Sequence, residues 1–173
     1  MPCREGTFPF PELMNLTAEV VGLLDSPADC SKLLYAPLSE PLTFRQTRRY
    51  TLEYSGSEAE AKRFIEKVLV DTVSERLHFG DRAAVEGARF ALDFGMKAGA
   101  LDLEKEAVMR YYRETAELGD AGGLEIHDLK ISQRIYVFSA DASGSADPGR
   151  FIKDVCTPAI HTWSVTDARD LSA

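Results

Sequence analysis

The sequence has few cysteines, and their spacing does not suit a metal site. Cys3, Cys30 and Cys156 are an odd number in a chain of 173 residues, and no CxxC or HxxxH spacing occurs. The ligand spacings typical of structural zinc sites are therefore missing, and we expect no metal site. The first residues also lack a basic segment followed by an apolar stretch, the pattern of a secretory signal. Together these features predict a protein of the reducing cytoplasm.

The chain also lacks a basic excess. Its 20 Lys and Arg residues stand against 28 Asp and Glu residues, which gives a net charge of −8. Nucleic acids and anionic membrane surfaces bind clustered positive charge, so we expect neither as a partner. No run approaches the ~20 apolar residues that span a bilayer. Neither GxGxxG nor GxxxxGK[ST] occurs, so we expect no phosphate loop and no cofactor bound by this chain.

The sequence does contain an internal repeat. Residues 63–68 (RFIEKV) return as residues 150–155 (RFIKDV), an offset of 87 residues. The strand-like runs that precede the two copies also match, at residues 49–54 and 134–139, and a second short strand-like run follows each copy. Each copy is therefore predicted to form a strand, a helix and a strand. The repeat is the main guide to the fold, because an overlooked repeat leads to a wrong fold assignment.

The pattern around the second copy is longer than around the first. The predicted elements are a strand over 90–96, a helix capped by Asp102, strands over 124–132 and 134–140, a helix capped by Asp147, and a strand around Trp163. Residues 88–165 thus predict a βαββαβ unit. The first copy predicts only a βαβ half unit, whose helix begins at a capping box formed by Ser57 and Glu60. The predicted class is α+β, with antiparallel sheets and helices packed on them.

Residues 1–46 belong to neither copy and are predicted to form an N-terminal extension. Apolar residues at helical spacing over 11–24 predict a helix that Pro11 opens. The stretch that follows, which contains Pro37 and Pro41, is expected to be an extended arm that wraps the body or a partner. The predicted domain then covers residues 47–173, with the half unit at 47–81 and the full unit at 82–168.

This order of parts resembles a known family. The turn Lys97-Ala98-Gly99-Ala100-Leu101-Asp102 and the ending at residues 157–163 (TPAIHTW) are similar to those of the small subunit of phosphoribosylformylglycinamidine synthase, the PurS family. The N-terminal domain of the large single-chain form of that enzyme has the half unit before the full unit, as here. The resemblance covers residues 48–165. The chain departs from the family at Leu103, where small subunits usually have proline, and in its extension before residue 47.

The resemblance implies a non-catalytic assembly subunit of purine biosynthesis. In such a complex a synthetase subunit uses ATP and Mg, and a glutaminase subunit releases ammonia from glutamine. This chain would bridge the two subunits and so support transfer of ammonia before it is lost to water. The resemblance also implies a ferredoxin-like fold arranged as a pseudo-dimer within one chain, monomeric or further assembled into a homo-oligomer, with no active site of its own.

The residues expected at the partner interface are Lys97, Gly99 and Asp102. Their alternative roles are structural, because glycine permits a tight turn and aspartate caps a helix. Two other functions stay open. One is a free-standing regulatory or interaction module of ferredoxin-like fold that binds a small ligand. The other, weaker because no spacing singles it out, is an enzyme that uses Asp93 and His127 as an acid–base pair.

Overall fold

Seven strands and four helices form the described part of the chain. The computed structural model describes residues 12–24, 26–119, 122–140 and 146–171. The strands are β1 (Met14–Gly22), β2 (Ala28–Asp29), β3 (Leu42–Gly56), β4 (Glu75–Phe79), β5 (Phe90–Met96), β6 (Leu124–Ser139) and β7 (His161–Asp167). The helices are α1 (Glu58–Val68), α2 (Leu103–Glu117), α3 (Pro148–Val155) and α4 (Ala168–Leu171), and a short 3₁₀ helix covers Cys30–Lys32. The predicted α+β class is confirmed.

The longer helices begin where the sequence provides a capping side chain. Ser57, Asp102 and Asp147 precede α1, α2 and α3, and each accepts a hydrogen bond from a backbone N–H two or three residues later, at 3.4, 3.0 and 2.9 Å respectively. These bonds satisfy N–H groups that have no partner within the helix. All three caps were predicted from the sequence and are confirmed.

The prediction of a helix over residues 11–24 is wrong, because Met14–Gly22 form strand β1. Leu16, Ala18 and Val20 are buried on one face of the strand, while Glu19 and Val21 are buried on the other. A strand exposes alternate residues to opposite faces, and β1 lies between β3 and β4, so both of its edges are paired. Tertiary pairing therefore overrides the helical spacing of the leucines. Pro11 lies outside the described residues.

All seven strands join one antiparallel sheet. Its order is β4-β1-β3-β6-β5-β7, and β2 pairs with β3 beyond the end of β1. β3 and β6 pair along their whole lengths, from Leu42 opposite Ser139 to Gly56 opposite Leu124. One extra residue, His127, bulges from β6 within this ladder. The two long strands form the centre of the sheet.

β6 replaces two predicted strands. The sequence predicted separate strands over 124–132 and 134–140, but the backbone continues without a turn from Leu124 to Ser139. The buried side chains of Leu129, Ile131, Ile135 and Val137 keep a single alternation through the predicted break, so all four lie on one face. The βαββαβ order predicted for residues 88–165 is therefore β5-α2-β6-α3-β7.

The strand order is the same on both sides of the β3–β6 pair. β1 and then β4 lie beyond β3, and β5 and then β7 lie beyond β6. Helix α1 connects β3 to β4, and α3 connects β6 to β7. The repeated residues 63–68 and 150–155 lie in α1 and α3. The first half thus has one more strand than predicted, because β1 comes from the N-terminal extension, and β3 crosses the boundary predicted after residue 46.

The three longer helices cover one face of the sheet. Phe44, Tyr50 and Leu52 of β3 are buried and lie on this face. They share it because residues separated by an even number of positions along a strand point to the same side of the sheet. The core under α1 and α2 consists mainly of Leu16, Ala18, Val20, Tyr50, Leu52, Tyr54, Ala61, Ile65, Leu129 and Ile131. The core under α3 and the 3₁₀ helix consists mainly of Cys30, Leu42, Phe44, Phe90, Leu92, Ile135, Val137, Phe151 and Cys156.

The opposite face is only partly covered by apolar groups. Val85 and Ala88, from the segment between β4 and β5, pack against Ala91 and Tyr136 of the sheet. Leu171 of α4 packs against the same small cluster. Elsewhere on this face polar and charged side chains lie over the central strands, and several of them are buried.

Candidate functional site

The turn between β5 and α2 brings the predicted interface residues together. Lys97, Gly99 and Asp102 line one cavity of about 300 Å³, called here the turn cavity. Residues 96–100 and Asp102 form one side of the turn cavity, and residues 128–131 of β6 form the other. The turn therefore lies directly beside the central strand of the sheet.

Each of the three residues also has a structural role in the turn. The backbone N–H of Lys97 donates to the Ile160 carbonyl at 2.8 Å, and its Nζ donates to the Pro158 carbonyl, so the turn is fixed to the segment before β7. Gly99 has a φ of +84°, which side-chain-bearing residues rarely adopt, although a Cβ there would meet open space. Asp102 caps α2. These roles hold the turn in one conformation.

Lysines lie around the turn cavity. Lys97 and Lys105 line it together with Lys130, whose side chain projects from an exposed position of β6. Lys105 Nζ forms an ion pair with Asp128 Oδ1 at 2.6 Å. The rim therefore combines cations with the two carboxylates of Asp102 and Asp128, in a chain whose net charge is −8.

Exposed apolar side chains surround the turn. Leu101 and Leu103 flank the cap residue Asp102 and are 70% and 72% exposed. Ile160, whose carbonyl accepts from the Lys97 N–H, is 42% exposed. Large apolar groups gathered around an ordered turn are typical of surfaces that contact another protein. Leu103 thus lies on this surface.

A buried charged network lies on the face of the sheet opposite the three longer helices, and it was not predicted from the sequence. Arg134 of β6 donates through Nε and Nη2 to the two carboxylate oxygens of Asp93 at 2.8 and 2.9 Å. Its Nη1 donates to Glu19 Oε2 at 3.1 Å. The other Glu19 oxygen accepts from Thr47 Oγ1 at 2.6 Å and from the Tyr136 hydroxyl at 2.7 Å. The network therefore joins β1, β3, β5 and β6.

The network is almost completely removed from water. The exposed fractions of Glu19, Thr47, Arg134 and Tyr136 are 1%, 2%, 4% and 0%. Burial raises the pKa of Tyr136, and the Glu19 carboxylate raises it further, so the hydroxyl stays protonated and donates. Burial by itself would lower the pKa of Arg134, but hydrogen bonds and charge from Asp93 outweigh it, and the pKa lies above its ordinary value.

A second, smaller cavity of about 210 Å³ lies on the same face as the charged network, over Gly95. We call it the Gly95 groove. Its polar lining consists of two cationic groups, four hydroxyls and one carboxylate, from Arg49, Thr51, Asp93, Lys130, Ser132, Thr162 and Ser164. The Asp93 carboxylate is already paired with Arg134. Arg49 pairs through Nη2 with the exposed Asp81 at 2.8 Å, while its buried Nε has no hydrogen-bond partner among the described residues. The groove therefore offers positive charge and hydroxyls to a small anion.

Asp93 and His127, considered from the sequence as an acid–base pair, lie far apart in the structure. Asp93 is held by Arg134, whereas His127 Nε2 lies 2.9 Å from Ser55 Oγ. Asp93 is opposite Arg134 in the sheet, seven residues along β6 from His127, so the two groups are about 23 Å apart along the strand. They do not form one site.

The cysteines and histidines do not converge on a site in the described ranges. Cys30 and Cys156 are free and buried, and burial raises the pKa of the Cys30 thiol to about 12. His161 accepts through Nδ1 from the Thr157 N–H at 3.0 Å and packs on Phe94. No group of three or more His, Cys, Asp or Glu side chains that could hold a metal ion occurs among residues 12–24, 26–119, 122–140 and 146–171. Cys3 lies outside the described residues.

No helix in the described ranges combines the length and the apolar character needed to cross a membrane. A comparison of the chain with protein-family models, with curated proteins and with solved structures found no match.

Proposed function

We propose that this chain is a non-catalytic assembly subunit of phosphoribosylformylglycinamidine synthase in purine biosynthesis. In this role it binds the synthetase and glutaminase subunits of the same complex and keeps them in a fixed geometry. ATP and Mg are used by the synthetase, and glutamine is cleaved by the glutaminase. The chain contributes no active site and no cofactor of its own.

The observation that carries the proposal is the sheet shared by the two halves of the chain. β3-α1-β4 and β6-α3-β7 lie on opposite sides of one continuous ladder, and each half adds a strand, β1 or β5, at the corresponding position. We interpret this arrangement as a pseudo-dimer of ferredoxin-like, PurS-like units within one chain, in which one long strand, β3 or β6, replaces the two middle strands of each unit. Because both halves belong to one chain, their association does not depend on protein concentration.

The turn that resembles the family supports the same role. Its conformation is fixed by Lys97, Gly99 and Asp102, and it presents the exposed side chains of Leu101 and Leu103. An adaptor must hold two enzymes so that ammonia passes between them without being released into water, which requires a rigid contact surface. A fixed turn beside the central strands provides such a surface.

Reconstitution with candidate synthetase and glutaminase subunits tests the proposal. We expect a three-part complex in the presence of glutamine and ADP-Mg. Glutamine-dependent product formation should require this chain, whereas activity supplied with ammonium chloride should not, because ammonia then reaches the synthetase directly.

A double variant at the turn sharpens the test. L101D with L103D should reduce glutamine-dependent activity at least tenfold, because charged groups would replace apolar ones at the contact. L118D is the matched control, since Leu118 lies at the other end of α2 and is 85% exposed. Full glutamine-dependent activity without the chain, together with no association, would rule out the assembly role.

The Gly95 groove favours a second candidate function, a regulatory module that binds a small anion. Inorganic phosphate and pyrophosphate, titrated into the full chain by calorimetry, should then bind to Arg49 and Lys130. K130M should weaken that binding at least tenfold, whereas K153M, at an exposed position of α3, should leave it unchanged. If neither anion binds the chain, or if K130M binds as the wild type does, this candidate fails.

A further inference from the structure

The outer edge of β7 has no neighbouring strand in the described ranges, because β7 ends the sheet. Two backbone bonds show which of its residues face β5. The Lys97 N–H donates to the Ile160 carbonyl at 2.8 Å, and the Ala168 N–H donates to the Arg89 carbonyl at 3.0 Å. Alternate residues of a strand direct their N–H and C=O groups to the same side, so residues 162, 164 and 166 also face β5. The residues whose backbone groups face outward are His161, Trp163, Val165 and Asp167.

The outward-facing residues are accessible. Trp163 and Val165 are each 37% exposed, and Asp167 is exposed as well. One outward N–H is already used, because that of His161 donates to the Thr157 carbonyl at 2.8 Å. The N–H and C=O groups of Trp163 and Val165 have no backbone partner in the part of the chain that the structure describes. An accessible strand edge with unpaired groups is a template for another strand.

The opposite edge of the sheet, strand β4, is protected against such pairing. Its five residues include the charged pair Glu75 and Arg76, and the side chain of Arg76 is exposed. At its other end the Nζ of Lys62 lies 5.4 Å from the centre of the Phe79 ring. Charged side chains, lysine above all, keep edge strands from pairing with other chains. Residues 162–166 of β7 (TWSVT) include no charged side chain, so β7 is the unprotected edge.

The sequence of β7 is complementary to itself in the antiparallel direction. Residues 161–167 read HTWSVTD, with Ser164 at the centre. In an antiparallel pair of two such strands, centred on Ser164, outward-facing residues are opposite outward-facing residues, as hydrogen-bonded pairs require. The residues that then lie opposite each other are Thr162 and Thr166, Trp163 and Val165, and His161 and Asp167.

The Trp163–Val165 pairs would bury apolar surface. Both residues lie on the face of the sheet that the longer helices cover, since they are opposite Phe94 and Leu92 of β5. Each pair would exchange two backbone hydrogen bonds, and an aromatic ring beside a β-branched side chain is a favourable cross-strand pair.

The His161–Asp167 pairs would match in charge and in hydrogen bonding. Nδ1 of His161 accepts from the Thr157 N–H at 3.0 Å, so the proton of the neutral ring lies on Nε2, which can donate. The Asp167 carboxylate has no hydrogen bond or ion pair with a described residue. Between the backbones, the Asp167 N–H would donate to the His161 carbonyl, a bond that does not need the N–H already given to Thr157.

We propose that β7 pairs antiparallel with β7 of a second copy of this chain, about a two-fold axis at Ser164, so that one continuous sheet crosses the dimer. The same seven residues then form both sides of the interface, as in other two-fold dimers. Strand addition derives its affinity from backbone hydrogen bonds and its specificity from alternate side chains. The proposal depends on β7 alone and does not rest on the assembly role.

Single cysteines in the full-length chain locate the two-fold axis. The two copies of Ser164 form a non-hydrogen-bonded pair with Cα atoms about 4.5 Å apart, a separation that a disulfide can bridge. S164C should therefore form a linked dimer with oxidised glutathione. T162C is the matched control, because residue 162 lies opposite residue 166 and about 14 Å along the strand from its own copy. Both variants also carry C3S, and the remaining Cys30 and Cys156 are buried.

The single tryptophan of the chain, Trp163, gives a second readout. As the protein concentration rises, the mass in sedimentation equilibrium should increase from 19.1 kDa towards twice that value, and the Trp163 emission should shift to shorter wavelength. V165P should weaken dimerisation about tenfold or more, because it removes an outward N–H and leaves the bonds to β5 intact. V165T keeps both the N–H and the shape of the side chain, and it should dimerise as the wild type does.

The proposal fails if T162C cross-links as readily as S164C, or if the chain stays monomeric up to about 1 mM. It also fails if V165P, shown by circular dichroism to be folded, dimerises as the wild type does. Should V165P unfold, the two cysteine variants decide. A chain that stays monomeric, and whose Trp163 emission shifts only when the synthetase and glutaminase are added, would mean that another protein occupies this edge. The reconstitution assay is scored separately, so a monomer leaves the assembly role to be decided there.

Discussion

R134M should destabilise the protein by about 3–5 kcal/mol, because it leaves the buried carboxylates of Glu19 and Asp93 without their cation. Arg134 is 4% exposed and makes four hydrogen bonds within the charged network, two of them to Asp93. Methionine fills much of the same volume, so the loss would measure the uncompensated charge more than a cavity. Chemical denaturation followed by circular dichroism measures the change in unfolding free energy.

Two further variants show whether the loss of stability comes from uncompensated buried charge. The triple variant R134M with E19Q and D93N should recover part of the lost stability, since no uncompensated charge then stays buried. R110M, which removes an exposed arginine from α2, should change the unfolding free energy by no more than about 0.5 kcal/mol. If R134M is no less stable than R110M, the network does not hold the sheet together.

The charged network has a consequence for the two halves of the chain. Glu19 and Thr47 belong to the first half, on β1 and β3, while Asp93, Arg134 and Tyr136 belong to the second, on β5 and β6. Its hydrogen bonds therefore cross the centre of the sheet and connect the halves by polar contacts that require one arrangement. A fixed arrangement of the halves is also what the proposed assembly role would require, because two enzymes must then be held at a constant distance.

Local features were predictable from the sequence. The three helix caps depend on residues two or three positions apart, and β5 was predicted from the alternation of its own residues. Lys97, Gly99 and Asp102, predicted to lie at an interface, do line one cavity, because they are close in sequence as well as in space. Such signals do not depend on the rest of the fold.

The non-local features were not predictable. Residues 11–24 have apolar side chains at helical spacing, and β1 forms only because β3 and β4 pair with it. The charged network joins Arg134 to residues that are 41 and 115 positions away, so no motif could reveal it. A weak signal was present, since Glu19 and Asp93 each interrupt an apolar run, and a charge in such a position needs a buried partner.

Gly56 is the position where a methyl group should be tolerated least. Its φ is +101°, and a Cβ there would lie 2.0 Å from the carbonyl oxygen of Gly123, where β3 ends opposite the start of β6. G56A should therefore add the energy of a strained backbone, about 1–3 kcal/mol, to that of forcing the two strand ends apart, about 1–3 kcal/mol more. The expected result is a much lower denaturation midpoint for G56A.

Gly80 separates these two contributions. It has the same φ of +101°, but a Cβ there would have no atom within 4 Å. G80A should therefore show the backbone strain alone, and the difference between the two variants should be about 1–3 kcal/mol of unfolding free energy. Equal losses in both variants would mean that the β3–β6 ends separate easily, and that the long central ladder is less rigid at this end than its pairing indicates.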